Sequence, residues 1–140
     1  MLDLSAVKAL VENKTSNLRL INVWATWCGP CVAEFPQLLK IFQMYRNREF
    51  ELVTLSADEP DKKEQVLKFL TKNHASGTNY LCSSDDRYQF IDAVDKAWPG
   101  ALPYTLLVKP GGEIIYKKLG MIDDLELKRA IVGYLGRYYE

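Results

Sequence analysis

The chain has 140 residues, of which 48% are hydrophobic and 26% charged, as in an ordinary globular domain that buries a core of its own. Lysine plus arginine and aspartate plus glutamate both number 18, so the formal net charge is +0 and nothing indicates a nucleic-acid partner. No apolar stretch reaches the length of about 18 residues that predicts a membrane span, and the N-terminus lacks the basic start and apolar core of a signal peptide. We therefore expect a single domain over residues 1–140 without membrane insertion.

Hydrophobic spacing predicts alternating helices and strands in the first half of the chain. Apolar residues that recur at helical spacing indicate helices, and nearly continuous apolar runs indicate strands covered on both faces. Proline interrupts the second helix at position 36, where we expect a kink. The predicted elements are, in chain order, a helix over 2–12, a strand over 18–24, a helix over 31–45, a strand over 50–55 and a helix over 58–73.

A short strand–helix insertion is predicted after this third helix. Residues 79–82 form an extended piece by their composition, and residues 86–94 form a small helix. Residues 95–103 then have the proline and glycine content of a loop. The insertion therefore separates the alternating first half from the C-terminal part of the chain.

The C-terminal part predicts a β-β-α unit. Pro110-Gly111-Gly112 is a strong hairpin signal between strands over 104–109 and 113–119. Buried strands that alternate with helices and end in an antiparallel hairpin argue for an α/β fold, in which helices flank a mixed central sheet in three layers. The final amphipathic helix is predicted over 123–138, with four side chains facing inward, namely Leu127, Ile131, Tyr134 and Leu135.

Residues 24–31, Trp-Ala-Thr-Trp-Cys-Gly-Pro-Cys, carry the clearest chemistry in the chain. Cys28 lies where a buried strand gives way to a helix, and Cys31 lies one turn into that helix. Unpaired N–H groups and the positive end of the helix dipole favour thiolate over thiol there, and thiolate is the species that attacks a disulfide. We expect Cys28 to attack and Cys31 to displace what Cys28 has captured. Gly29 and Pro30 shape the turn between them, since the missing N–H of proline costs nothing in a first helical turn.

One alternative is that this cysteine pair forms half of a zinc site. A zinc site needs four ligands, and the spare candidates are Cys82 and the single histidine, His74, neither of them at ligand-pair spacing. Redox chemistry is therefore favoured, and we expect no metal and no organic cofactor. Cys82 itself is expected to be a small buried apolar residue.

The octet, the order of elements and the proline before the hairpin resemble the thioredoxin fold. The chain is most similar to the TlpA/ResA-like branch, the bacterial extracytoplasmic thiol–disulfide oxidoreductases, in Asn-Val-Trp-Ala-Thr-Trp-Cys at 22–28 and in Glu-Phe-Pro at 34–36. This resemblance implies a thioredoxin-like fold, client proteins whose disulfides are exchanged, and an upstream dithiol that donates electrons. Gly-Pro is also the pair of thioredoxin, whose potential near about −270 mV favours the reduction of disulfides.

The resemblance also implies a substrate groove beside the dithiol. In thioredoxin-like proteins a proline before this strand is cis and faces the dithiol, so Pro103 is expected to be cis and the backbone of Leu102 to pair with the client strand. Tyr104 departs from the branch, which usually has threonine after this proline, and the departure is expected to alter the groove. Trp27, adjacent to Cys28, is expected to cover the thiol and to offer an apolar contact to a partner.

A proton acceptor for Cys31 is harder to identify. Asn22 lies in a buried strand, where an amide is costly without partners, and thioredoxin has an acid at the matching position. Glu59 is the replacement candidate, because ResA-like proteins carry a functional glutamate after the second strand. The alternative is that Glu59 only lies at the start of a helix, where acids are common, and has no role in proton transfer.

Several functional alternatives stay open. The same dithiol serves an oxidase or isomerase that introduces or rearranges disulfides. A peroxide reductase is disfavoured, because its Thr-x-x-Cys site would need threonine where this chain has Ala25. A binding module that holds client proteins or a metal, with the dithiol incidental, belongs to a different class. The resemblance implies a location outside the cytoplasm, the missing signal peptide leaves a cytoplasmic one open, and a monomer is the default expectation.

Overall fold

The described part of the chain, residues 1–136 of a computed structural model, contains each helix and strand that the sequence predicts. Helices and strands alternate until the final hairpin, as expected for an α/β fold. In chain order they are α1 (Leu4–Glu12), β1 (Leu18–Trp24), α2 (Gly29–Tyr45), β2 (Phe50–Ser56), α3 (Lys63–Lys72), β3 (Thr78–Leu81), α4 (Arg87–Val94), β4 (Tyr104–Val108), β5 (Ile114–Leu119) and α5 (Asp124–Leu135).

The largest differences from the predicted bounds lie at three helix ends. α2 begins at Gly29 rather than at residue 31, because Cys28 already caps it. α3 begins only at Lys63, since Pro60–Lys62 form a separate 3₁₀ turn. α5 ends at Leu135, and residues 137–138 of the predicted last helix lie outside the described residues.

The sheet has five strands in the order β3-β2-β1-β4-β5. β1, β2 and β3 run parallel to one another, whereas β4 pairs antiparallel with β1 and β5 antiparallel with β4. The mixed sheet expected from the hairpin signal is thus confirmed, and the strand of the insertion joins its parallel edge. β1 lies at the centre, and all seven of its residues are buried.

Two apolar cores fill the space on either side of this sheet. One joins alternate β1 residues such as Leu20 and Trp24 to α2, α3 and α5, and the other joins Ile21 and Val23 to α1 and α4. Successive side chains of a strand point to opposite faces, so β1 contributes to both cores. The three-layer arrangement is confirmed. Among the helices within residues 1–136, none has the length and apolar character needed to cross a bilayer.

Two expectations about helical side chains have different outcomes. Tyr134 was predicted to face inward, and this prediction was wrong, because its side chain is 41% exposed. The amine of Lys109 lies 5.8 Å from the centre of its ring, so the ring is held at the surface by a cation–π contact. Pro36 lies inside α2, which continues through it, and the kink expected there stays a prediction.

Candidate active site

The dithiol lies at the N-terminus of α2, as the sequence predicts. Cys28 and Cys31 are joined by a disulfide, with their Cα atoms 5.3 Å apart. The Sγ of Cys28 also accepts a hydrogen bond from the backbone N–H of Cys31 at 3.3 Å, so the helix amides point at this sulfur. Cys28 retains 7% exposure and Cys31 none. A partner can therefore reach Cys28 first, with Gly29 and Pro30 forming the helical turn between the two sulfurs.

A buried acid holds the turn before the dithiol in place. The backbone N–H and the hydroxyl of Thr26 both donate to the carboxylate of Asp58, at 3.0 and 2.6 Å, and the hydroxyl of Ser56 donates at 2.6 Å. These bonds tie the turn after β1 to the end of β2. The next residue, Trp27, is 64% exposed, so its indole is available to a partner. Sequence reasoning missed Asp58, although an acid two residues after a buried strand was a visible signal.

Glu59 follows Asp58 but faces solvent. It precedes the 3₁₀ turn Pro60–Lys62 without a side-chain capping bond, and it lines a surface groove with Asp61 and Asp85. No hydrogen bond within residues 1–136 joins its carboxylate to the dithiol. Its assignment as the proton acceptor therefore stays a prediction.

Glu34 is a buried carboxyl one helical turn after Cys31. Residues three apart on a helix lie on the same face, and Glu34 is only 3% exposed. Its Oε2 accepts from the Asn22 side-chain amide at 3.1 Å, and its Oε1 accepts from the backbone N–H of Ile122 at 2.8 Å. Burial raises the pKa of Glu34 above its ordinary 4.5, although these two hydrogen bonds act in the opposite direction. A buried acid with a raised pKa thus lies one helical turn after the expected resolving cysteine.

The side-chain nitrogen of Asn22 has the hydrogen-bond partners that its burial requires, whereas the oxygen has none in the described part of the chain. The residue is fully buried, and its Nδ2 donates both to Glu34 Oε2 and to Thr105 Oγ1, each at 3.1 Å. Its Oδ1 has no hydrogen-bond partner within residues 1–136. The acid that thioredoxin has in this strand is therefore replaced here by an amide that orients an acid from α2.

The segment that contains Pro103 is tied to the same site. The Leu102–Pro103 peptide bond is cis, as the resemblance implies. The carbonyl of Pro103 accepts from the backbone N–H of Gly120 at 2.8 Å, in the loop between β5 and α5. That loop also supplies the Ile122 N–H to Glu34. One loop thus ties the expected client-binding segment and the buried acid together.

Tyr104 points to the opposite face of the sheet. Its ring stacks on Trp98 with centroids 5.1 Å apart and planes 4° from parallel, and its hydroxyl donates to Asp95 at 2.6 Å. Burial, together with the neighbouring Asp95 carboxylate, raises the pKa of Tyr104 well above its ordinary 10.0. Trp98 is only 3% exposed, so it packs in the core.

Metal ligation gains no support from the described side chains. Residues 1–136 contain no group of three or more histidine, cysteine, aspartate or glutamate side chains arranged to hold a metal ion, so the zinc alternative has no ligand set there. Cys82 is a free thiol that is 3% exposed. Burial raises the pKa of Cys82, which fits the prediction that it behaves as a small apolar residue.

Comparison with known proteins gives a consistent family. The Redoxin family model matches residues 7–131. The thiol-disulfide oxidoreductase ResA of Bacillus subtilis is 30% identical over 104 residues, a match that covers 74% of this chain and 54% of ResA. The chain therefore spans about half the length of that relative.

Solved structures give the same fold. A structure from Chlorobium tepidum, named as a candidate DsbE thiol:disulfide interchange protein, matches with a TM-score of 0.74 and 26% identity over 88% of this chain and 83% of that one. The thioredoxin domain of a thiol-disulfide oxidoreductase from Bacteroides vulgatus matches with a TM-score of 0.72 and 22% identity, over 91% and 84% of the two chains. The second likeness supports the fold alone, and the expected thioredoxin-like fold is confirmed.

Proposed function

This chain is a ResA-like member of the Redoxin family with a thioredoxin fold, and from that premise we propose that it reduces disulfide bonds in client proteins. The observation that carries the proposal is the placement of the two cysteines. Cys28 caps the N-terminus of α2 and keeps 7% exposure, and Cys31 is fully buried one helical turn before Glu34. An accessible attacking sulfur and a protected resolving sulfur are what thiol–disulfide exchange requires.

The first step forms a mixed disulfide. In the reduced protein, the Cys28 thiolate attacks one sulfur of the client disulfide, and that sulfur–sulfur bond breaks. The client's other sulfur leaves as a thiolate and takes a proton from water. The amide of Cys31 and the N-terminus of α2 stabilise the negative charge on Cys28 before the attack.

The second step releases the client. Cys31 loses its proton and attacks the Cys28 sulfur, so the mixed disulfide breaks and the client's second thiolate leaves. The client has then gained two electrons, and Cys28 and Cys31 are joined as the disulfide that the structure contains. An upstream dithiol must return two electrons and two protons, and we propose such a dithiol as the second partner.

Glu34 is our candidate for the base that takes the proton of Cys31. Its carboxylate lies on the same helix face one turn away, and its oxygens retain lone pairs beyond the two hydrogen bonds they accept. Because burial raises the pKa of Glu34, proton transfer from a thiol is less unfavourable than to an ordinary carboxylate. We prefer Glu34 to Glu59 because Glu34 is buried one helical turn after Cys31, whereas Glu59 is exposed.

An extended client segment can pair with Leu102. Within residues 1–136 no hydrogen bond involves the backbone N–H or C=O of Leu102, whereas the carbonyls of Ala101 and Pro103 on either side are both occupied. We propose that the client strand adds to Leu102 by backbone hydrogen bonds and packs on the exposed indole of Trp27.

The location and the oligomeric state belong to the same proposal. The resemblance to the ResA-like branch supports a place outside the cytoplasm, and we propose that the protein acts there as a monomer. Fractionation of the native host with compartment markers tests the first statement, and sedimentation equilibrium of the reduced and oxidised protein tests the second. Recovery only in the cytoplasmic fraction, or a stable dimer, would contradict the respective statement.

Insulin reduction tests the proposed activity. The wild-type protein, with dithiothreitol as the electron source, should accelerate reduction of the insulin disulfides well above the rate with dithiothreitol alone. The matched control is the Cys28→Ser, Cys31→Ser double variant, which lacks both sulfurs and should show only the background rate. Equal rates for the two proteins would reject the reductase and favour the binding module.

A further inference from the structure

The loop that leads into the client-binding segment folds back on its own chain. The backbone N–H of Trp98 donates to the carbonyl of Asp95 at 3.0 Å, and the N–H of Ala97 donates to the Asp95 side chain at 3.0 Å. Gly100 has φ +94, and a Cβ there would lie 2.8 Å from Ile91 on α4. The loop is thus held close against α4 before it reaches the cis-proline.

Four side chains of this region form one connected cluster, which we call the clamp: Asp95, Trp98, Tyr104 and Lys117. The amine of Lys117 lies 3.0 Å from Asp95 Oδ2, and the same oxygen accepts the Tyr104 hydroxyl at 2.6 Å. The Tyr104 ring stacks on Trp98, whose indole N–H donates to the carbonyl of Ala101 at 2.8 Å. A chain of contacts therefore runs from β5 through the clamp to the residue before Leu102.

The clamp fixes one of two anchors that flank Leu102. On one side the Ala101 carbonyl is held by Trp98, and on the other side the Pro103 carbonyl is held by Gly120. Leu102 between them keeps its backbone groups open. A strand whose neighbours are fixed loses less conformational freedom when a partner pairs with it, and the partner then binds more tightly.

From these contacts we infer that Tyr104, Asp95 and Lys117 are positioning residues, which determine how tightly protein clients bind at Leu102 and leave the dithiol chemistry unchanged. The inference rests on the proposed function. It also gives a role to Tyr104 at the position where the ResA-like branch usually has threonine. A threonine there could neither stack on Trp98 nor reach Asp95.

The clamp is separated from the reacting groups by the sheet. Tyr104 packs in the core with Val23, α1 and α4, whereas Cys31 packs in the core with α2, α3 and α5. The clamp makes no hydrogen bond to either cysteine or to Glu34 within residues 1–136. Loosening it should therefore change the affinity for a strand-forming client and not the reactivity of the sulfurs.

The Tyr104→Phe variant tests this inference, because it retains the stacked ring and removes only the hydroxyl. With insulin as the client and saturating dithiothreitol, KM should rise about three- to tenfold, as expected for one group that is no longer pre-organised, and kcat should stay within about twofold. With cystamine, a disulfide that has no peptide backbone to pair with Leu102, the rate should be unchanged. Hydrogen exchange of the amides in residues 96–102 should be faster than in the wild type.

Matched variants make the result decisive. Tyr88→Phe removes a hydroxyl from an 83% exposed tyrosine on α4 and should behave as the wild type. Lys117→Met loosens Asp95 from the other side and should raise KM in the same direction as Tyr104→Phe. An unchanged insulin KM in both clamp variants, or an equal loss of rate with cystamine, would overturn the clamp. A wild-type protein that reduces neither disulfide would instead reject the proposed function.

Discussion

Tyr104 and Thr105 are neighbours in β4, yet they belong to two polar clusters with opposite character. Thr105 accepts from Asn22 on the face of Glu34 and Cys31, and Tyr104 donates to Asp95 on the other face. The Thr105 cluster is buried and the Tyr104 cluster is partly buried, and each contains one carboxyl group. Because side chains of a strand alternate between its faces, Thr105 lies beside the proposed base and Tyr104 lies beside the loop that leads into the proposed client-binding segment.

The two carboxyl groups differ in what surrounds them. Glu34 has no cation among its hydrogen-bond partners, and burial raises its pKa. Burial also acts to raise the pKa of Asp95, but the hydroxyl of Tyr104, the amide of Ala97 and the amine of Lys117 outweigh it and lower this pKa below 3.8. The acid that we propose takes up a proton has no counter-charge among its partners, whereas the acid that holds the loop before Leu102 is kept ionised.

The largest expected effect is on turnover, in the Cys31→Ser variant, which changes the side of the sheet that carries Glu34 and Cys31. Cys28 can still attack a client, but nothing displaces the client afterwards, so turnover should fall by about a thousandfold or more. Non-reducing gels and mass spectrometry should show a stable mixed disulfide with insulin chains. The Cys28→Ser variant is the control and should trap far less. Greater trapping by Cys28→Ser would reverse the assigned order of attack, and equal trapping would show that neither cysteine is the preferred attacker.

The next effect separates the two candidate acids. Glu34→Gln should slow release of the client by about a hundredfold, because a positioned base contributes on the order of that factor, while the first attack by Cys28 stays close to the wild-type rate. Quenched-flow with acid trapping of the mixed disulfide resolves the two steps. Glu59→Gln is the matched control and should release clients at the wild-type rate. If Glu59→Gln is slow and Glu34→Gln is not, the proton acceptor is Glu59.

The neighbouring strand residues give a smaller effect that sharpens the comparison. Thr105→Val removes an acceptor from Asn22 and should lower the free energy of unfolding by about 1 kcal/mol, and Tyr104→Phe removes a bond to a charged group and should lower it by about 1–2 kcal/mol. Only Thr105→Val should also slow client release, because only Thr105 contacts the network of Glu34. Urea unfolding and the quenched-flow experiment check both statements. Slow release in Tyr104→Phe would show that the two faces are coupled.

The smallest effect is the pH dependence of stability, and its sign differs between the faces. The raised pKa of Glu34 means that its contribution is fully present below about pH 4.5 and is lost as pH rises through the folded-state value. The lowered pKa of Asp95 means that its contribution is present above about pH 3.8 and is lost as pH falls. The stability difference between the wild type and Glu34→Gln should therefore shrink as pH rises. The stability difference between the wild type and Asp95→Asn should instead grow as pH rises through the acid range. Slopes of the same sign would contradict the comparison.

Much of the fold follows from local signals in the sequence. Apolar periodicity, the Pro-Gly-Gly turn and the cysteine pair are properties of short segments, so the elements, their order and the position of the dithiol could be predicted. The burial of Asp58 could not be predicted, because Asp58 and Glu59 are adjacent and only the turn after β2 decides which of them is buried. Glu34 was visible in the family pattern, but its burial depends on Asn22 and on the distant Ile122.

The clamp shows the same limit on the other face. The departure at Tyr104 was visible in the sequence, but its meaning depends on a loop that folds back to bring Asp95 and Trp98 to it. Tyr134 faces solvent for a similar reason, since Lys109 from another part of the chain lies over its ring. Side chains that act through long-range contacts are the ones that local patterns do not describe.

The reduction potential of the Cys28–Cys31 pair tests the central claim most directly. The protein is equilibrated against dithiothreitol and glutathione redox buffers, its thiols are trapped, and the reduced fraction is measured by mass spectrometry. We expect a reversible two-electron couple close to that of thioredoxin, near about −270 mV, which makes the protein a reductase that needs a dithiol donor. A value near about −120 to −180 mV would instead make it an oxidant or isomerase. The absence of any reversible couple would reject an enzymatic role for the dithiol.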